Sequence, residues 1–246
     1  MDIQTVLTKS YPDQKPGTSG LRKKTAVFMN NVHYTENFIQ SILDAIPESS
    51  KDAILVVGGD GRYYNDKILQ IIAAISAANG VRKLVIGQHG LLSTPAASHI
   101  IRSYQDKDGK KVTGGIILTA SHNPGGPEND IGIKYNLSNG GPAPESVTNA
   151  IWDISKKLTH YKIVKGFPEI NLSVKGEKSY GSLVIDVVDT TQEYVDFLKG
   201  IFDFDLIKKF VDTQRSTKNW KLLFDGLNGV TGPYGRAIFV DELGLP

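Results

Sequence analysis

Uninterrupted apolar runs alternate with amphipathic stretches along most of this chain. Ala53-Ile54-Leu55-Val56-Val57 is one such run and stops at Gly58-Gly59; Lys83-Leu84-Val85-Ile86-Gly87 and Gly115-Ile116-Ile117-Leu118-Thr119 have the same form. Continuous rather than alternating apolar character predicts strands covered on both faces. Between these runs the period changes to that of a helix. Thr35 suits the N-cap of a helix with Phe38, Ile39, Ile42 and Ile46 on one stripe, closed by Pro47. A second helix is expected from about Asn65, apolar at Ile68, Ile71, Ile72 and Ile75, with Gly80 as its stop. Thr94-Pro95 fits the cap and first position of a third, running to about Tyr104. Ile131 to Asn136 reads as a short strand, and Pro144 to Leu158 as a helix with Val147, Ile151, Ile154 and Leu158 inward.

The segment from Tyr11 to Lys24 is a polar opening, and the pattern loosens again from Tyr161 to Tyr180. A strand at Leu183 to Val187 and helices near Thr191 to Ile201 and Asp205 to Val211 follow. Lys221-Leu222-Leu223-Phe224-Asp225 then reads as a new strand, and Gly232-Pro233 leads into a helix with Ala237, Ile238 and Val240. The fold class implied is α/β: a layered α/β/α domain with a mixed sheet over residues 1–205, then a linker and the start of a second, similar α/β domain over 206–246.

Composition narrows the function classes. The net charge is +2 over 246 residues, with the basic residues dispersed, so bulk charge gives no support for nucleic-acid or membrane-surface binding. Cysteine is absent, which removes disulfides, thiolate metal sites and a cysteine nucleophile. No apolar run approaches the roughly 20 residues needed to span a bilayer, and the N-terminus lacks signal-peptide character, so a cytoplasmic protein is expected.

The most informative stretch is Thr119-Ala120-Ser121-His122-Asn123-Pro124-Gly125-Gly126, a tight turn directly after an apolar strand. Strand ends are where α/β proteins hold reactive groups. His122 is badly placed as a base for Ser121, because adjacent residues in extended chain face opposite ways. The G-x-S-x-G elbow of serine hydrolases is missing as well. A phosphorylatable serine fits better: Gly125 and Gly126 allow close backbone approach, Asn123 and His122 are polar, and Lys134 follows on the next strand. A loop whose Ser and Asn satisfy turn backbone groups is the competing reading. Gly59-Asp60-Gly61-Arg62 reads as a strand-end turn with an Asp–Arg contact rather than a metal site, since one carboxylate holds Mg²⁺ poorly. His33, His89, His99 and His160 show no ligand spacing.

The run from Leu118 to Asn136 closely resembles the active-serine segment of the α-D-phosphohexomutases, and within them the eukaryotic-type phosphoglucomutases. Gln14-Lys15-Pro16-Gly17-Thr18-Ser19-Gly20-Leu21-Arg22-Lys23-Lys24, Val57 to Arg62 and Leu91 to Pro95 are also similar to family segments. The resemblance implies that Ser121 carries a phosphoryl group between O6 and O1 of a glucose phosphate through bound glucose 1,6-bisphosphate, with Mg²⁺ as cofactor. It implies Lys134 as general acid/base, with simple pairing to phosphate as the alternative, and Arg22 as the group stabilising transferred charge. Thr18 and Ser19 would bind phosphate or form an ordinary turn. Asn123 would contact phosphate, and His122 would orient the phosphoserine or make a structural hydrogen bond.

The family's Asp-Gly-Asp-Gly-Asp-Arg metal loop, Gly-Glu-Glu-Ser sugar loop and Ser-Gly-Thr phosphate loop are absent from these 246 residues. Metal contact is therefore expected only at Ser121, through its phosphate. A partial gene product is the economical reading, with negligible mutase activity alone and with Leu222, Phe224 and Ile238 exposed. Partners are expected to be small sugar phosphates, not nucleic acid or membrane, with a monomer in the full-length form. A mannose or N-acetylglucosamine phosphate mutase, or a non-catalytic phosphoprotein scaffold, remains as an alternative.

Overall fold

The computed structural model describes every residue except Thr18, Ser19, Glu48, Asn219 and Pro246. Its elements in chain order are β1 (Ile3–Leu7), β2 (Leu21–Lys24), α1 (Thr25–Asn30), α2 (Tyr34–Asp44), β3 (Ile54–Gly59), α3 (Asn65–Ala78), β4 (Lys83–Leu91), α4 (Thr94–Ser103), β5 (Gly114–Leu118), β6 (Asp130–Leu137), α5 (Glu145–Ser155), β7 (His160–Val164), β8 (Gly176–Tyr180), β9 (Leu183–Val188), α6 (Thr190–Lys199), α7 (Phe204–Lys218) and α8 (Thr231–Gly235). A π-helical stretch, Arg236–Glu242, continues α8.

The main sheet has seven strands in the order β2-β6-β5-β3-β4-β9-β8, and β1 pairs with β7 in a separate ribbon. The pairs β5–β3, β3–β4 and β4–β9 are parallel; the outer pairs β2–β6, β6–β5 and β9–β8 are antiparallel. The sheet is therefore mixed, with a parallel centre. Because β3 lies between β4 and β5, the chain leaves it one way through α3 and passes back over it through α4. Right-handed crossovers in opposite directions put those helices on opposite faces. Packing agrees: Leu55, Val57 and Leu84 join Ile68, Ile72 and Ile75 of α3 in one core. Ile54, Val56 and Val85 join Ala96, Ala97 and Ile100 of α4 in the other. Successive residues of β3 thus feed two cores, which is why its apolar run is unbroken. Each fully buried Leu or Ile contributes about 1.5–3 kcal/mol.

Several boundaries differ from the sequence expectation, for physical reasons. Helix α2 starts at Tyr34, after His33 in the left-handed region at φ 62°, so Thr35 lies inside the first turn and caps nothing. Tyr34 fixes that start: it is buried, meets Phe28 edge-on at 5.3 Å, and its hydroxyl donates to Asp13 at 3.1 Å. The cap of α4 is Ser93, whose Oγ accepts from Ala96 N at 3.3 Å, placing Thr94 in the helix. The polar opening contains β2, and the loose region contains β7 and β8. Residues 221–225 form no strand; the segment pairs with neither sheet edge, and Phe224 instead packs on Phe239 at 5.4 Å. Leu222 and Phe224 are exposed as expected, but Ile238 is half-buried against a small cluster with Val211, Leu243 and Leu245.

Candidate active site

The carboxyl ends of β5, β3 and β4 open into a cleft of about 780 Å³. This is the point where α3 and α4 diverge to opposite faces, the position where open α/β sheets bind ligands. The loop after β3 contributes Asp60 and Arg62, the loop after β4 contributes Ser93 and Thr94, and the loop after β5 contributes Thr119 and Ser121 to Gly126. Residues 226–231, far along the chain, form the remaining wall.

Ser121 is exposed at this cleft and holds a left-handed backbone, φ 58°. That conformation costs a non-glycine residue roughly 1–2 kcal/mol, so neighbours must impose it. They do so from both sides. Ser121 N donates to Thr119 Oγ1 at 2.9 Å, and Thr119 Oγ1 donates to Asp60 Oδ2 at 2.6 Å. Ser121 O accepts from Arg62 Nη2 at 3.3 Å. Arg62 grips Asp60 in a fork, Nε to Oδ1 at 2.9 Å and Nη2 to Oδ2 at 2.7 Å. Its Nη1 donates to the carbonyls of Asn123 at 3.2 Å and Asp130 at 2.6 Å. The loop lies so close to the Arg62 shaft that a Cβ on Gly125 would stand 2.9 Å from Arg62 Cβ.

Further out, Asn123 Nδ2 donates to Asp130 Oδ2 at 2.6 Å, and Arg22 Nη1 reaches Asn123 Oδ1 at 3.5 Å. Lys24 pairs with Asp130 at 3.0 Å. The Asn123 hydrogen bond, with the Lys24 hydrogen bond and charge, holds the Asp130 carboxyl below the usual carboxylate range. Arg22, on β2, therefore joins the serine loop through Asn123. His122 is exposed and makes no hydrogen bond among the described residues. Thr18 and Ser19 lie outside the described residues; Gly20, which follows them, is pressed against β6. Gly20 has φ 97°, and a Cβ there would stand 2.5 Å from Ile133 O and 2.9 Å from Lys134 Cα.

Lys134 sits on β6 opposite Ile117 of β5 and is half-buried. It does not line the serine cleft; it borders a separate cavity of about 20 Å³ with Gly20, Phe38 and Tyr135. Burial first, then the Arg22 and Arg62 guanidinium groups, push its pKa below the usual 10.5, with Asp60 opposing. The cluster thus joins Ser121, Asn123, Arg22, Asp60 and Arg62 directly and feels Lys134 through its charge.

Local sequence pattern does not mark Arg62 or Thr119 as determinants of the serine loop. The expected Asp60–Arg62 contact is present, but its further reach depends on β3 and β5 being neighbours, which local periodicity does not encode.

The family described as "Phosphoglucomutase/phosphomannomutase, alpha/beta/alpha domain I" matches residues 13–162. That span carries the whole serine network. The chain belongs to the phosphoglucomutase/phosphomannomutase family. Among curated relatives, "Phosphoglucomutase 2" of Saccharomyces cerevisiae is 76% identical over 99% of this chain. "Phosphoglucomutase" of Aspergillus oryzae is 61% identical over 100% of it. A solved structure from Paramecium, titled as the exocytosis-sensitive phosphoprotein pp63/parafusin, a phosphoglucomutase, in an open form, superposes with a TM-score of 0.89. It is 40% identical, covering 100% of this chain and 44% of that one. The chain spans 42% of the length of the two curated relatives.

The family resemblance implies Mg²⁺, and the donors present do not fit it. Among the described residues no three His, Asp or Glu side chains form a group able to hold a metal ion. The two carboxylates bordering the serine loop are already engaged, Asp60 by Arg62 and Thr119 and Asp130 by Asn123 and Lys24.

Proposed function

We propose that this chain provides the serine-bearing part of a phosphoglucomutase that interconverts glucose 1-phosphate and glucose 6-phosphate through glucose 1,6-bisphosphate. The observation that carries the reading is Ser121, held left-handed at the mouth of a cleft and fixed on both sides of its backbone. The names of the curated relatives support the substrate. In the forward direction phosphorylated Ser121 donates its phosphoryl group to O6 of glucose 1-phosphate. The sugar then reorients and its O1 phosphoryl group passes back to Ser121 Oγ, releasing glucose 6-phosphate.

Such transfers rest on positioning and on positive charge near the transferred oxygens. Arg22 supplies that charge from this chain. The lowered pKa of Lys134 suits it to take a proton from the attacked hydroxyl and return it. His122, Asn123, Thr18 and Ser19 are assigned to phosphate contact and orientation. Toward Mg²⁺ this chain would offer Ser121, through its phosphate, as an oxygen donor. Residues 1–205 form the serine-bearing domain and 206–246 the linker and opening of a second α/β unit, the joint falling in the first turn of α7.

The test is to incubate the full-length protein with glucose 1,6-bisphosphate carrying labelled phosphate and map the label. Label on Ser121, abolished by Ser121→Ala, is expected; label elsewhere, or none, removes the mechanism. A phosphoprotein role for the same serine is the second reading, favoured by the likeness to the Paramecium exocytosis-sensitive phosphoprotein. It differs in requiring no sugar-dependent turnover of the label.

A further inference from the structure

We propose that Arg62 is a positioning residue for phosphoryl transfer at Ser121, acting through the serine's backbone. This rests on the reading of Ser121 as the phosphoryl carrier and adds a residue to which that reading gave no part. Arg62 is 7% exposed, yet its guanidinium lies beside the reactive loop and donates to Asp60 and to the carbonyls of Ser121, Asn123 and Asp130. Those carbonyls span the whole serine turn. One side chain therefore fixes the entry, the tip and the exit of the loop relative to β3.

The chemistry requires such a fixture. The same Oγ must meet two different sugar hydroxyls, and misplacement by about 1 Å can cost on the order of a hundredfold in rate. A left-handed serine relaxes to an ordinary backbone once released, which swings Oγ away from the cleft. A lysine could replace the charge of Arg62 but not its fork: a single ammonium cannot clasp both Asp60 oxygens and also reach three carbonyls. The role is thus geometric, and it separates from any effect of the Arg62 charge on Lys134.

The experiment compares wild type, Arg62→Lys and Thr119→Val in the full-length protein, with two readouts. The first is the single-turnover rate of Ser121 labelling by glucose 1,6-bisphosphate across pH. The second is amide hydrogen exchange over residues 119–130. Arg62→Lys is expected to slow labelling at least tenfold at every pH, with the shape of the pH profile and the KM for the bisphosphate unchanged. Exchange in 119–130 should rise while β3 and β4 stay protected. Thr119→Val, which frees Ser121 N and leaves Arg62 intact, should show the same effects more weakly. It keeps the test valid if the Arg62 variant fails to fold. Unchanged exchange in 119–130, or a shifted pH profile with the full plateau rate, overturns the proposal. Absence of Ser121 labelling in wild type overturns the phosphoryl-carrier reading instead, and the exchange data still decide whether Arg62 holds the loop.

Discussion

Lys134 shows how burial and neighbouring charge together disfavour a side chain's protonated form. Its amine is half-buried and faces two guanidinium groups, so its charged form is disfavoured in the folded state. The consequence for stability has a definite sign. Between the lowered folded pKa and 10.5, the unfolded chain binds the proton more tightly than the folded one, so stability rises with pH across that window. Lys134→Met should remove this rise and leave the fold at least as stable at pH 7, while labelling of Ser121 falls sharply. Urea unfolding from pH 7 to pH 10.5 reads the difference; a parallel pH dependence in both proteins would sink the idea. At Asp130 the charged form is the favoured one, and stability again rises with pH, now across the acid range. Its carboxyl is held low by Asn123 and Lys24, so its contribution is present above pH 3.8 and is lost as pH falls through its lower folded value.

The elements divide into those that carry their own signal and those defined by neighbours. Strand β3 and helix α3 were legible because a doubly covered strand must be apolar throughout and a half-covered helix must be striped. Strand β2 was not: of Leu21-Arg22-Lys23-Lys24 only Leu21 is buried, and the strand exists because β6 offers it an edge. The converse error occurred at residues 221–225, where strand-like residues find no neighbour. The same division holds in the site. Ser121 and Asn123 were legible from turn chemistry, whereas Arg62 becomes part of the site only because β3 lies beside β5. Caps fall between these extremes, since Ser93 and Thr94 are equally good capping residues. Ser93→Ala should therefore cost about 0.5–2 kcal/mol and Thr94→Ala much less. Equal losses on chemical unfolding would contradict the assignment of Ser93 as the cap.

At the scale of the whole molecule, the last forty or so residues are attached to the layered domain at a few defined points. Lys199 pairs with Glu242 at 2.6 Å, and Tyr234 enters the core beneath α4. The Tyr234 hydroxyl accepts from Ser93 N at 3.2 Å and donates to Thr190 Oγ1 at 3.3 Å, and its ring meets Tyr194 edge-on at 5.8 Å. Beyond these anchors the segment exposes Leu222, Leu223, Phe224 and Leu227, the second of them 88% exposed. A contiguous apolar surface of this kind drives association. Leu223→Lys should lower the concentration-dependent mass of the 246-residue chain in sedimentation without changing its melting temperature.

The anchor also bears on the site, because residues 226–231 wall the serine cleft immediately before Tyr234. The hydroxyl that fastens this wall is bonded to the capping residue of α4, so wall and helix terminus are held by one group. Tyr234→Phe keeps the buried ring and deletes only the polar link, leaving Ser93 N without its partner. The expected loss is about 1–3 kcal/mol. Amide exchange should accelerate in residues 226–235 and at the start of α4, while the Arg62-held serine loop keeps its protection. Exchange that speeds up equally in 119–130 would show that the cleft opens as one body, and that the wall and the serine loop are not separately fastened.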